Sequence, residues 1–416
     1  MLSLFKYNSI SKYHFLLLII SITKLSAQEM NSQYSLVLTP NINNQWWSKY
    51  NNYGQEPSKI YLNYMNNYKK KKNELSINIF ASRDKVYVGE SFLQSKLFSS
   101  TYIKFGKYYR DFSTYLNDDL SSGSMLVSKN AEPLPKIGLI GSFYLKKYNN
   151  YNIDYGIAHG KFEKNNFYNK SPMLHEKFIY LKHNSKETEW GIGFVHEAIW
   201  GGSTIGGRLP GDQPSTLKDF FKIIIAADGP DEGGQHLNAL GNHLGIWDFY
   251  YQIKKKDKSL KLYHQHFFED TSGLRFANKT DGLWGIELKN YVKDSNILLE
   301  YLNTSNQNID PPYVSDSYYI HGLYQSGWSY KGYVLGNPFI DSFNNNPSKV
   351  IHLGVKQYIL NDLHYKLLLS RKVHESDDIK YQIILGKTIN NFLTDIIING
   401  EKLSLIHISE PTRPSQ

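Results

Sequence analysis

Alternation of apolar and polar residues runs through much of this sequence and constrains its fold more than any other feature. The stretch LYHQHFFEDTSGLRFANKTDGLWGIEL, residues 262–288, begins as a strand, breaks at a polar turn and resumes as a second strand. In the second strand Trp284, Ile286 and Leu288 share one face, because successive side chains of an extended chain point to opposite sides. The same period recurs at residues 245–254, 351–356, 363–370 and 378–386. The sequence therefore predicts strands with one apolar and one polar face.

These strands follow one another along most of the chain. From residue 75 onward we count roughly fourteen to sixteen candidates, with lengths that suit the tilted strands of a membrane barrel. The clearest are 75–80, 139–145, 153–162, 177–183, 190–200, 244–253, 260–268, 283–288, 297–303 and four more between 350 and 399. An up-and-down barrel would leave no strand edge exposed. We therefore expect an all-β fold, a large antiparallel transmembrane β-barrel of about 16–18 strands with plugging loops.

The aromatic content is compatible with two kinds of fold. The chain has 33 Tyr, 21 Phe and 7 Trp, yet its mean hydropathy is negative. An aromatic ring with a polar tip suits a membrane–water interface, and transmembrane barrels carry aromatic girdles at both rims. A soluble β-sandwich whose aromatics stack on sugars is the alternative on composition alone.

The N-terminus favours the membrane barrel. Lys6 and Lys12 precede the apolar run 15–22, and Ala27 supplies a small residue at a cleavage site, so residues 1–27 read as a signal peptide. No other stretch approaches the roughly 18–20 apolar residues of a membrane-spanning helix, so an exported protein that enters a membrane would do so as a barrel. There is no Cys, hence no disulfide.

The net charge of +9 at pH 7 does not indicate a nucleic-acid partner. Three of the positive charges belong to the predicted signal peptide, and the densest basic run, 69–72, is typical of a solvated turn.

The chain divides into four parts on this interpretation. Residues 1–27 are the signal peptide, 28–74 a small N-terminal periplasmic element, and 75–402 the barrel. Two loops interrupt the barrel, at 120–137 and 201–241. The second contains the helical spacing of Leu217, Phe220, Phe221 and Ile224, and we expect it to plug the lumen. Residues 403–416 resemble the translation of a sequencing adapter read in frame, so we expect this tail to be foreign to the fold and to replace closing strands.

Several blocks, in order, resemble the Wzi-type capsule assembly family. They are LSSGSMLVSKNAEPLPKI (120–137), HGKFEKN (159–165), LHEKFIYLKH (174–183), FVHEAIWGG (194–202), NALGNHLGIWDF (238–249), the stretch 263–288, EYLNTSNQ (300–307) and YVLGNPF (333–339). The resemblance implies an outer-membrane barrel of about eighteen strands with a periplasmic helical element and a plugged lumen. It also implies a protein that binds exported capsular polysaccharide and helps to anchor it at the cell surface without catalysis. We further expect a monomer that contacts outer-membrane lipid and has no cofactor.

Enzymatic and metal-binding alternatives have weaker support. Glu269 and Asp270 could flank a glycosidic bond, but neighbours on a strand face opposite ways, so a turn or a pairing of Glu269 with Arg275 is favoured. His264 and His266 share a face without a third ligand, which favours hydrogen-bonded lumen imidazoles over a metal site. His196 beside Glu197 has no nucleophilic serine in an elbow, so a triad lacks support.

Sugar binding requires aromatic faces and planar polar groups. The residues of this kind that border the 201–241 loop or face the same mouth are Trp200, Arg208, Asp212, Asp231, Glu232, His236, Asn242, Asp248, His266, Glu269 and Arg275. For each, plug anchoring or hydrogen bonding within the wall is the alternative, whereas Trp247 and Trp284 lie on apolar faces that favour lipid contact. A diffusion channel and a surface hydrolase remain the alternative functions.

Overall fold

The structure is a computed structural model, and it describes residues 29–40, 50–145, 150–229, 239–269, 271–307, 317–373, 379–390 and 392–402. The predicted signal peptide and the tail at 403–416 lie outside these residues. Within the described ranges, no helix is both long and apolar enough to cross a membrane.

The described chain is almost entirely β-structure. Its first part contains β1 (Glu29–Leu38), β2 (Ile60–Lys70), β3 (Asn73–Ala81), β4 (Val86–Val88), β5 (Ser91–Phe98), β6 (Thr101–Lys107), β7 (Pro135–Tyr144) and β8 (Tyr151–Lys161). The middle part contains β9 (Tyr168–Lys170), β10 (Met173–Asn184), β11 (Thr188–Trp200), β12 (Ser203–Thr204), β13 (Gly211–Asp212), helix α1 (Leu217–Ile225), β14 (Asn242–Lys255), β15 (Lys258–Phe268) and the short helix α2 (Thr271–Leu274). The last part contains β16 (Gly282–Lys289), β17 (Ser295–Asn303), β18 (Ser329–Tyr330), β19 (Tyr333–Val334), β20 (Lys349–Leu360), β21 (Leu363–Lys372), β22 (Ile379–Ile389) and β23 (Phe392–Lys402).

Seventeen of the described strands form one closed barrel, which confirms the predicted fold class. The barrel strands do not include the short strands β4, β9, β12, β13, β18 and β19. Neighbouring barrel strands are antiparallel, except for β1 and β23, which close the barrel. In that pair Tyr34 lies opposite Phe392 and Leu38 opposite Ile396. That pairing is parallel because an odd number of alternating strands brings the first and last together in the same direction.

The stretch 28–74 differs from the separate periplasmic element expected there. Strands β1 and β2 lie within it, pair along ten positions from Glu29–Lys69 to Leu38–Ile60, and belong to the barrel sheet. Asn and Tyr replace aliphatic residues at many of their positions, which hides the alternation in the sequence. Pairing with neighbours, rather than local pattern, makes these residues strands.

The two faces of the barrel have opposite character, as the alternation predicts. Outward residues are exposed and apolar, among them Ile179, Ile192, Leu262, Trp284 and Ile351. Inward residues of these and neighbouring strands are buried and often polar, among them Glu176, Asp248, Gln265, Glu300 and His352. A lipid-facing exterior and a polar lumen satisfy both sets of side chains.

Two connections fill the lumen and form what we call the plug, residues 108–134 and 317–348. They join each other through hydrogen bonds from Trp328 Nε1 to the Leu126 carbonyl (2.7 Å) and from Asn337 Nδ2 to the Gly123 carbonyl (2.8 Å). Their apolar residues form one cluster with inward wall residues such as Tyr180. The expected 120–137 loop falls mostly within the first connection, although its last three residues begin β7.

The 201–241 loop does not supply the described plug. Its helix α1 instead packs against the outer side of the wall, where Ile223 and Phe220 meet the outward residues Ala198 and Trp200. The outward side chains at the C-terminal end of β11 form an apolar patch. The apolar face of α1 packs on this patch outside the barrel and does not enter the lumen. Residues 230–238 of this loop lie outside the described residues.

Candidate functional site

A cavity of about 510 Å³ lies in the lumen between the plug and the inward faces of β1–β3 and β20–β23. It follows these strands from Leu393, next to the β22–β23 turn, to Gln382 and Asn399 near the opposite end. The plug therefore fills the lumen on one side and leaves a polar space along the other.

Amides and tyrosines recur along the lining of this cavity. The amides on wall strands are Gln33, Asn63, Asn78, Gln382 and Asn399, and the tyrosines are Tyr50, Tyr53, Tyr61, Tyr109 and Tyr358. Alternation directs the wall amides inward, and two pairs of them are hydrogen-bonded, Asn63 to Asn78 and Gln382 to Asn399, each at 2.9 Å. Each amide retains donor and acceptor capacity beyond its one mutual bond.

Charged residues of both signs face the same space. Asp119, from the plug, bonds Lys356 Nζ through one oxygen at 2.7 Å and Lys366 Nζ through the other at 2.6 Å. Burial would raise the pKa of Asp119, but the two lysines outweigh it and hold that pKa below its ordinary value. On the plug side, Lys129 lies 3.9 Å from Asp118. Paired charges of this kind favour a neutral or mixed ligand over a strongly charged one.

Buried wall carboxylates and amides hold the plug in place. Glu300 accepts hydrogen bonds from Ser121 Oγ and from the Ser122 backbone N–H, both at 2.6 Å. Gln265 accepts the Met125 N–H at 2.9 Å and donates to Ser113 Oγ at 3.0 Å. These bonds join residues far apart in sequence, so they fix the connection against the wall.

Asp248, one of the sequence-predicted site residues, belongs to this anchoring set. It accepts hydrogen bonds from Ser113 Oγ at 2.5 Å, from Tyr180 Oη at 2.6 Å and from the Tyr115 hydroxyl. It is fully buried beneath the plug. Its place fits the anchoring alternative rather than direct contact with a sugar.

Arg208 and Glu269 meet the other plug segment. The Arg208 backbone N–H donates to the Gly322 carbonyl at 2.9 Å, and Glu269 accepts the Tyr319 N–H at 2.9 Å. The sequence predicted both residues at a mouth plugged by the 201–241 loop, whereas the structure places them against the 317–348 segment.

Trp200 and His266 lie on the outer side of the wall. Trp200 packs on Phe220 of α1 with ring centroids 5.8 Å apart. His266 packs on Phe276 at 4.2 Å, and His264 stacks on Trp284 at 3.6 Å. The expectation of lumen imidazoles is therefore wrong, because the two histidines share the face of the exposed Leu262, while Gln265 takes the lumen side.

The remaining candidates are dispersed. Asp212 and Arg275 are exposed, and Asp212 pairs with Lys170 at 2.7 Å. Asn242 is buried at the start of β14. Asp231, Glu232 and His236 lie outside the described residues. None of the described candidates is among the residues that line the lumen cavity.

The cavity residues themselves carried a partial sequence signal. Lys356, His364, Lys366 and Gln382 are on the polar side of the alternating stretches 351–356, 363–370 and 378–386, as the structure places them. Alternation marks a side chain as inward, but it does not say where the plug leaves room beside it. The described residues contain no group of three or more His, Cys, Asp or Glu placed to hold a metal ion.

Comparisons with known proteins find distantly similar solved structures and one matching family. Solved structures similar to the chain include OmpT of Vibrio cholerae (9% identity, 87% of this chain and 88% of that chain covered, TM-score 0.32). They also include OprD of Pseudomonas aeruginosa (8%, 89% and 93%, 0.36) and OccAB2 of Acinetobacter baumannii (9%, 82% and 91%, 0.29). A search of curated proteins finds no match. The sequence model of the capsule assembly protein Wzi family matches residues 51–402, and the chain thus belongs to this family of outer-membrane proteins.

Proposed function

We propose that this protein binds exported capsular polysaccharide in its lumen cavity and helps to assemble or anchor the capsule at the cell surface, without chemical turnover. The observation that carries the proposal is the row of amides and tyrosines beside the plug. Family membership supports a role in capsule assembly, and the cavity supplies a place for the glycan.

The lining has the chemistry that a carbohydrate needs. Amide side chains offer a donor and an acceptor in one plane, which suits vicinal hydroxyls. Tyrosine rings such as those of Tyr53 and Tyr61 offer flat apolar faces with a polar tip. The volume of about 510 Å³ is within the range of roughly 300–1,000 Å³ common for ligand sites, so a short segment of the polymer would enter.

The plug supports retention rather than free passage. Its two segments bond to each other and to the wall at Glu300, Gln265 and Asp248. A polymer that enters the lateral cavity would therefore meet fixed groups on both sides. Holding the chain in this way needs many weak contacts and no reactive residue.

Two experiments test the proposal. Deletion of the gene should release polysaccharide into the medium and thin the surface capsule, and normal retention would contradict an anchoring role. Binding of the purified protein to capsular polysaccharide should weaken at least several-fold in Gln382→Ala. Gln213→Ala removes the same amide from the 201–216 region outside the cavity and should leave binding unchanged. Release of reducing ends by the purified protein would contradict the absence of turnover.

A diffusion channel is the second candidate, because the cavity extends along most of the length of β22 and β23. Conductance in planar bilayers distinguishes the two functions. Steady ion conductance with no measurable glycan binding would favour the channel, whereas glycan binding that reduces a small conductance would favour the proposed anchor.

A further inference from the structure

Helix α1 occupies an unusual position, outside the barrel wall. Its N-terminus is well defined, since Thr216 and Asp219 form a capping box in which each side chain bonds the other's backbone N–H. At its C-terminus Ala226 takes the left-handed conformation and its N–H closes the last turn. The residues Leu217–Ile225 thus form a capped α-helix and not an irregular turn of the loop.

One flank of α1 is held against the wall. Ile223 is fully buried, and the Phe220 ring meets Trp200 at 5.8 Å and His159 at 4.8 Å between centroids. Lys177, on the outward face of β10, donates to the Ile224 carbonyl. The sheet separates this contact from the plug, because the two apolar clusters lie on opposite sides of it.

A second flank is apolar and uncovered. Leu217, Phe221 and Ile225 are 72%, 58% and 74% exposed. They follow at intervals of four residues, so at about 100° per residue they form one edge of the helix, next to the packed flank. The third flank carries Lys218, Asp219 and Lys222. Seen down its axis, α1 therefore has a wall side, an apolar side and a polar side.

The position of α1 relative to the membrane band identifies what covers the apolar side. On strands β10 and β11, beneath the helix, the outward residues farther from the loop end are also apolar and exposed, including Ile179 (53%) and Ile192 (46%). The helix thus continues the lipid-facing surface of the barrel. It lies at the end with the long connections, and outer-membrane barrels direct these outward and their short turns to the periplasm.

We propose that α1 is an interfacial helix, whose Leu217–Phe221–Ile225 edge inserts among the acyl chains of the outer leaflet. Lys218 and Lys222 would then lie at the level of the anionic headgroups, as basic residues on the polar face of interfacial helices do. The helix would fix the depth and rotation of the barrel in the membrane, so that its loops meet the capsule at a constant height. This lipid contact is independent of glycan binding in the lumen.

The absence of cysteine from the sequence makes a site-specific test direct. Phe221→Cys and Ile225→Cys would each carry an environment-sensitive fluorophore, with the protein reconstituted in vesicles of phosphatidylethanolamine and phosphatidylglycerol. Doxyl-labelled acyl chains should quench these probes several-fold more than aqueous iodide does. Lys218→Cys, on the polar side of the same helix, is the matched control and should show the reverse order.

Two results would overturn the proposal. Equal iodide quenching at Phe221→Cys and Lys218→Cys would show that the apolar edge faces water. Protection from both quenchers, together with disulfide-linked dimers of unlabelled Phe221→Cys, would show that a second copy covers the edge. Heat-modifiable migration on gels confirms that each variant has a closed barrel. Capsular glycan binding by these variants should be unchanged, which keeps this test separate from that of the proposed function.

Discussion

The backbone N–H of Ser122, in the plug, donates a hydrogen bond of 2.6 Å to the carboxylate of Glu300, on strand β17. The two residues are 178 positions apart in the chain. Both residues are buried, so water does not reach the bond and could not replace either partner if the bond broke. The contact links the plug to the wall directly.

Glu300→Gln should loosen the plug. The amide lacks the negative charge that strengthens the bonds from Ser121, Ser122 and Tyr263, and its NH₂ group cannot accept any of them, at a cost of about 1–3 kcal/mol. We expect a lower urea midpoint and faster proteolysis within residues 108–134. Glu187→Gln, at the exposed β10–β11 turn, is the control and should change neither measurement. An unchanged cleavage rate in Glu300→Gln would show that this carboxylate does not hold the plug.

Loss of the buried ion pair Lys136–Glu176 should destabilise the fold far more than loss of the exposed pair Lys170–Asp212. Both have an N–O distance of 2.7 Å, but the side chains are 2% exposed in the first pair and 67% and 68% in the second. Lys136→Met leaves a buried carboxylate uncompensated and should reduce the free energy of unfolding by about 3–5 kcal/mol. Lys170→Met should leave it nearly unchanged, because water screens the exposed pair.

A double variant checks the cause of that loss. Lys136→Met with Glu176→Gln removes both charges and should recover part of the stability that Lys136→Met loses. Equal losses in the single and double variants would indicate that packing, not the unpaired charge, dominates at this site. Chemical unfolding in detergent micelles provides the measurement for all three proteins.

Gly193→Ala should disturb the plug anchor from within the wall. A methyl group at Gly193 would overlap the ring of Tyr180, whose hydroxyl donates to Asp248 at 2.6 Å. Overpacking of this kind costs about 1–3 kcal/mol and should displace the Tyr180 hydroxyl. Gly322→Ala is the matched control, since its nearest neighbour would be an Arg208 atom at 3.5 Å. Similar unfolding midpoints for the two variants would contradict this prediction.

Acid should loosen the 317–348 segment through His321. Burial, together with the nearby His243 and Arg208, lowers the pKa of His321 to about 4 from an ordinary value of 6.5. Its Nδ1 atom accepts the backbone N–H groups of Leu323 and Tyr324 at 3.2 and 3.3 Å, which only an unprotonated Nδ1 can do.

The sign follows from proton uptake. Between pH 6.5 and 4 the unfolded segment binds a proton that the folded one resists, so stability is complete above pH 6.5 and declines toward pH 4. Ser326 is buried, so a cysteine placed there reports opening of the segment. As the pH falls from 6.5 to 4, a thiol reagent should label Ser326→Cys increasingly faster than it labels the double variant Ser326→Cys with His321→Asn at the same pH. A constant ratio would exclude His321 as the cause.

The barrel could be predicted from the sequence alone. Residues such as Trp284 and Ile286 alternate with polar neighbours, and this period of two predicts the cylinder, apolar outside and polar inside, that the structure confirms. It also assigned Lys356, Lys366 and Gln382 to the inner face, because facing is a local property of an extended chain.

The segments that fill the cylinder, and the space that remains beside them, follow from long-range contacts. The sequence predicted α1 as part of a plug, yet its apolar face packs on Trp200 outside the wall. Glu300 became an anchor only because Ser122 is folded against it, and the amides of β2 and β22 became a cavity only because the plug lies against the opposite wall. Contacts between residues more than a hundred positions apart depend on chain closure, and a local pattern carries no information about which distant segment meets which face.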